Sequence, residues 1–177
     1  MQDAVRPLVV MTPKSLLRLP AASSSIGELQ TGGFQPVIDD ARISDRGQVR
    51  RIVVCSGKVF YDLDTARNAD GSVRTDVAVI RLEQFYPFPA TRLADIFASY
   101  PNAAEIVWTQ EEPQNMGGWT FVEPRIEAIL PANATLQYIG RDASASPATG
   151  SYAIHNLEQA KLVNDSLTVD VETSAAM

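Results

Sequence analysis

Cysteine, histidine and lysine are all scarce in this 177-residue chain, and each scarcity excludes something. Cys55 is the only cysteine, so no internal disulfide forms and a reducing compartment is the natural expectation. His155 is the only histidine, which rules out a zinc site built on paired histidines. Lysine is confined to Lys14, Lys58 and Lys161, and arginine supplies the remaining positive charge. Positive charge is itself the minority sign: the formal net charge is -6, which argues against a general nucleic-acid binder. No apolar run approaches the ~20 residues a spanning helix requires, so no membrane role is expected. Met1 to Pro7 lacks the charged-then-apolar layout of a secretory signal. There is no Gly-x-Ser-x-Gly elbow, no Gly-x-Gly-x-x-Gly fingerprint and no Walker A loop.

What is present is ordinary globular material, 45% hydrophobic and 20% charged. A chain of this length buries roughly 70% of its unfolded surface without a metal or disulfide. Short apolar runs alternate with helical patterns. Leu8-Val9-Val10-Met11 reads as a first strand, ended by Thr12 as a helix cap with Pro13 at the first helical position. Pro20 to Arg50 reads as a long irregular excursion. Arg51–Cys55 is the clearest buried strand, followed by a helix from Ser56, its N-cap, to about Arg67, and by an Asp70-Gly71 turn. Further strands are expected at 77–83, 105–109 and 136–139. Helices are expected at 90–98, 119–129 and 152–164, and a frayed tail at 167–177. Single helices between strands imply crossovers. The expected fold class is therefore α/β, a three-layer, mostly parallel sheet with helices on both faces. One domain, 1–166, would hold it.

The candidate chemistry lies at strand ends. Ser56-Gly57-Lys58 joins a buried strand to a helix, where free N–H groups and a lysine accept an anion; the plainer alternative is a capped helix with a solvated lysine. Thr12-Pro13-Lys14-Ser15 repeats the arrangement, and Arg81 and Arg141 lie at or just past strand ends. In a parallel sheet such ends share one edge, so an anion-accepting edge drawn from Thr12, Lys14, Ser56, Lys58, Arg81 and Arg141 is one reading. Salt bridges from Arg81 and Arg141 to Glu83, Glu111 or Glu112 are the other. Glu111-Glu112 is badly placed for paired acid–base work, because adjacent residues leaving a strand point to opposite sides. With Pro113 and Gly117-Gly118 it marks a backbone-defined loop. Cys55 sits inside an apolar strand and is expected to be inert. His155 has Glu158 three residues on as a partner. Phe85-Tyr86-Pro87-Phe88-Pro89 is either a partner surface or a loop folded on its own core. No catalytic or metal-binding residue is assigned.

Taken in order, several strings resemble one family. Arg6 to Arg18, Cys55-Ser-Gly-Lys-Val-Phe-Tyr-Asp-Leu63, Val79 to Pro89, Trp108-Thr-Gln-Glu-Glu-Pro-Gln-Asn115 and Gly140 to Pro147 are similar to the C-terminal, transketolase-like domain of the thiamine-dependent first component of 2-oxoglutarate dehydrogenase. Departures are small: Leu19 stands where His or Asn is frequent, and Met116-Gly117-Gly118-Trp119 where Gln-Gly-Ala-Trp is common. The resemblance implies a mostly parallel sheet with one antiparallel edge strand, and a homodimer. The parent decarboxylates 2-oxoglutarate in the citric acid cycle through thiamine diphosphate and magnesium. It then passes the succinyl unit to a lipoyl group on the succinyltransferase partner. Both cofactors would be held by the thiamine-binding domains that precede this one, so none is assigned to this chain. Some relatives bind acetyl-coenzyme A here, which would add Arg18 to Thr12, Lys14, Ser56, Lys58, Arg81 and Arg141. The expected location is cytoplasmic, or the mitochondrial matrix in a eukaryote. A free-standing binding module for a phosphorylated or coenzyme A ligand is the alternative.

Overall fold

A computed structural model describes residues 7, 9–10, 12–68 and 74–169. Leu8, Met11, the Asp70-Gly71 turn and the tail beyond 169 lie outside the described residues. The chain divides into two units, Met1–Phe34 and Gln35–Met177.

The first unit holds two 3-10 turns, Lys14–Arg18 and Pro20–Ala22, and one short helix, α1 (Ile26–Thr31). Ser25 and Glu28 close a capping box on α1: the Glu28 N–H donates to Ser25 Oγ (3.2 Å) and the Ser25 N–H to Glu28 Oε2 (2.6 Å). None of its described residues is buried. Two expectations fail here. Val9 and Val10 are exposed and form no strand, because no neighbouring strand pairs with them. Thr12 caps nothing; the cap position falls to Pro13, which offers no side-chain hydrogen bond.

The second unit is a five-stranded sheet in the order β1-β3-β2-β4-β5, comprising β1 (Val37–Ile38), β2 (Arg51–Cys55), β3 (Val77–Leu82), β4 (Glu105–Pro113) and β5 (Thr135–Arg141). Only β1 is antiparallel; the others run parallel, with Arg51 opposite both Val77 and Glu105. Helices α2 (Val59–Arg67) and α5 (Tyr152–Leu167) cover one face; α3 (Ala90–Ala98) and α4 (Trp119–Glu127) cover the other. The period-two alternation of the strands builds both cores. Ile52, Val54, Ala78, Ile80, Ile106 and Trp108 face α3 and α4, while Val53, Cys55, Val77 and Val79 face α2 and α5. Each such aliphatic side chain stabilises the fold by roughly 1.5–3 kcal/mol relative to exposure. The expected three-layer α/β class is what forms, and β1 is the antiparallel edge strand that the resemblance implied.

Boundaries shift where sequence cues were local. Ser56 is not the N-cap of α2. Gly57 takes a positive φ of 73°, a conformation that favours glycine, so the helix begins at Val59 with Lys58 at the cap. Strand β4 runs on to Pro113 across an irregularity after Thr109. Helix α5 extends to Leu167, which is buried against the α2 side of the core.

The excursion before β2 is irregular but firmly tied. Asp40 is buried and forms an ion pair with Arg67, whose side chain is 1% exposed. Its Oδ2 also accepts from the Val79 N–H (2.9 Å) and its Oδ1 from the Arg42 N–H (3.1 Å). Asp39 accepts from Arg46 (2.5 Å) and from the Tyr100 hydroxyl (2.8 Å).

Candidate functional site

The strand order reverses at β2. The chain moves from β2 to β3 on one side, then crosses to β4 and β5 on the other. In open α/β sheets the crevice outside the carboxyl ends of strands at such a reversal is the usual ligand site. Here it lies between the ends of β2 and β4, and side chains fill it.

Lys58, just past β2, reaches Asp62 Oδ2 (3.0 Å) and Glu111 Oε1 on β4 (3.1 Å). Burial opposes its charge, but hydrogen bonds to the two carboxylates outweigh that and hold the ammonium above its ordinary range. Gln159 Nε2 on α5 donates to the same Asp62 oxygen (2.8 Å). Arg141, at the end of β5, has a side chain only 12% exposed and uses its whole fork: Nη1 donates to the Glu111 carbonyl, Nε to Glu158 Oε2 (2.8 Å) and Nη2 to Gln159 Oε1 (3.1 Å). Arginine has no acceptor, so the 3.2 Å contact from Nη2 to His155 Nδ1 makes that ring nitrogen the acceptor. Thr149 Oγ1 also donates to Glu158 (2.7 Å), and these bonds, Thr149's first and Arg141's second, hold the Glu158 carboxyl below its ordinary value.

Of the seven candidate residues, the four in the second unit are only partly brought together. Lys58 and Arg141 join one polar chain through Glu111, Asp62 and Gln159. Ser56 lies at the same strand end, half-buried. Arg81 pairs with Glu83 (3.4 Å) and stacks over the Phe60 ring (4.6 Å). Thr12, Lys14 and Arg18 are exposed in the first unit. Glu158, the residue expected to serve His155, serves Arg141 and Thr149 instead. The loop from Asp142 to Gly150 and helix α5 border a cavity of about 530 Å³. Among the described residues no group of three His, Cys, Asp or Glu converges as a metal-binding set.

Gln110 was not singled out in the sequence, yet it organises the loop that follows β4. It is buried, and its Oε1 accepts from Trp108 Nε1 (2.8 Å) and from the N–H groups of Gly118 (3.1 Å) and Trp119 (2.9 Å). Its Nε2 faces the carbonyls of Glu112 (3.2 Å), Pro113 (3.1 Å) and Met116 (2.8 Å). Gly117 turns the loop at φ 65°. The Tyr138 hydroxyl binds the Glu112 and Arg141 carbonyls and is pushed up to about 12, mainly by burial. The only sequence clue was an amide between a tryptophan strand and a double glycine. Cys55 is fully buried and its thiol is pushed up to about 12 by burial, which leaves no reactive thiolate.

Residues 23–167 match the family model described as 2-oxoglutarate dehydrogenase C-terminal. The chain belongs to that family. It is 45% identical over 169 residues to the 2-oxoglutarate dehydrogenase E1 component of Bacillus subtilis, a stretch covering 95% of this chain and 18% of that protein. The same component of Azotobacter vinelandii is 45% identical over 167 residues, covering 93% and 18%. That of an Exiguobacterium species is 40% identical over 176 residues, covering 99% and 18%. As a family member, the chain therefore spans about a fifth of the length of the curated relatives it matches. The family match includes β2, β4, β5 and the polar chain linking their ends.

Proposed function

We propose that this chain is the C-terminal assembly domain of a thiamine diphosphate-dependent 2-oxoglutarate dehydrogenase first component. The chemistry is housed in the rest of that polypeptide: decarboxylation of 2-oxoglutarate and passage of the succinyl unit to a lipoyl group on a succinyltransferase partner. The single observation that carries this reading is near-complete similarity, over 93–99% of the chain, to E1 components of which it spans 18%.

The geometry supports a scaffolding part. Lys58 and Arg141, the cations that contact Glu111 at the carboxyl end of β4, are held by Glu111, Asp62 and Glu158, so this donor set does not fit a magnesium-bound diphosphate. What it does well is fix three strand ends and α5 to one another. A rigid carboxyl edge suits a domain that positions neighbours, including a second copy in a homodimer.

The test is to join this chain to the upstream portion of the Bacillus subtilis relative, in place of that protein's matching stretch. Thiamine-dependent 2-oxoglutarate turnover in the joined protein is the expected result. A folded, dimeric chimera without turnover would overturn the proposal.

A further inference from the structure

The first unit is well specified locally yet has no interior. Between Val9 and Phe34 six large apolar side chains stand in solvent: Val9 (80% exposed), Val10 (65%), Leu17 (76%), Ile26 (75%), Leu29 (76%) and Phe34 (71%). Scattered singly, exposed apolar residues need no explanation. Six in one short stretch, with no buried residue among its described positions, leave an unusual density of large apolar side chains exposed. Nor is the stretch a solvated linker, which would be poor in large apolar residues. It carries two 3-10 turns and a helix with a complete capping box, and Ile26 and Leu29 fall on one face of that helix at i, i+3.

The match to the family's C-terminal model begins at residue 23, whereas the similarity to the Exiguobacterium E1 component covers 99% of the chain. Residues ahead of 23 are therefore shared with the Exiguobacterium relative although the family model does not describe them, and the remaining 82% of that relative, beyond the 18% matched, is the sequence this chain does not include. We infer that residues 9–34 are a docking segment, and that the surface they cover is on the upstream portion of the E1 polypeptide; this rests on the function proposed above. Leu17, Ile26, Leu29 and Phe34 supply the apolar anchors. Lys14 and Arg18, flanking Leu17 and exposed, call for carboxylates at the rim of the opposing surface.

The experiment compares amide hydrogen exchange over 12–34 in three samples: the full chain alone over a range of concentrations, the full chain mixed with the recombinant upstream portion of the Bacillus subtilis relative, and the two joined covalently. Fast exchange in the chain alone and slow exchange in the other two are expected. The double variant Leu17→Ser/Leu29→Ser should weaken association by roughly tenfold or more. Its sheet domain should unfold at an unchanged midpoint, because neither residue belongs to the core. Protection already present in the dilute chain would assign the segment to its own body, and protection rising with concentration to a second copy; either overturns the inference. An assembly that turns over 2-oxoglutarate with residues 12–34 still exchanging fast would overturn the docking segment and leave the proposed function standing. Protection without turnover in the joined protein would do the reverse, and no association of the mixed proteins would overturn the docking segment.

Discussion

Lys58 Nζ lies 3.1 Å from Glu111 Oε1, bridging the carboxyl ends of β2 and β4 where the strand order of the sheet reverses. An ion pair thus occupies the crevice that a ligand takes in many α/β proteins. Both side chains are partly exposed, so the contact is worth no more than about 1 kcal/mol. Lys58→Met should lower stability by that amount in urea unfolding. Because Lys58 and Arg141 already hold carboxylates, inorganic phosphate should leave the thermal midpoint of the chain unchanged; a concentration-dependent rise would support the anion-accepting edge as a ligand site.

A much larger effect is expected at Asp40 and Arg67, which are 4% and 1% exposed at their side chains. Asp40→Asn keeps an acceptor for the Val79 N–H but leaves the buried Arg67 guanidinium with only the longer carboxylate contact to Asp64 (3.4 Å), and should cost about 3 kcal/mol. Adding Arg67→Met removes that poorly compensated charge, so the double variant should be more stable than Asp40→Asn alone. Chemical denaturation of the four proteins gives the coupling energy directly.

Gln110→Met preserves volume while removing the acceptor for Trp108 Nε1 and for the Gly118 and Trp119 N–H groups. Two buried donors and one partly buried donor without partners should cost roughly 3 kcal/mol. The loss should appear as a lowered urea midpoint, with a shift in tryptophan fluorescence as the loop from Glu111 to Trp119 loosens.

Acid should act through Asp39. Burial would raise its carboxyl, but hydrogen bonds from Arg46, Tyr100 and the Asp40 N–H together hold it below its ordinary 3.8. A depressed carboxyl stabilises the fold above its unfolded value, and that stability drains away as the pH falls from about 3.8 through the lower folded value. Asp39→Asn should therefore be less stable than the parent at neutral pH and show a flatter acid limb in a plot of urea midpoint against pH.

How far the sequence carried the reading depends on the range of the cause. Arg51–Cys55 and Ala90–Ala98 have the expected bounds because an unbroken β-branched run and an i, i+3, i+4 stripe are local signals. Ser56 misled because a serine before a helix resembles a cap until Gly57 turns the chain away. Val9 and Val10 have the composition of a strand but no partner in the sheet. The apolar loop at 85–89 divided between its two readings: Phe85 and Phe88 pack on the core beside Trp108 and Phe121, while Tyr86 is 85% exposed. Asp40 with Arg67, and Arg141 with Glu158, join positions far apart in the chain, and composition cannot pair them. Family resemblance supplied the antiparallel edge strand, which at two residues is too short for periodicity to reveal.

The proposed assembly role leaves the chemistry to other sequence. Calorimetric titration of the pure chain with thiamine diphosphate and magnesium tests that most directly, with 2-oxoglutarate turnover followed in the same sample. No saturable heat and no turnover are predicted. Stoichiometric binding, or measurable decarboxylation by the chain alone, would contradict the account.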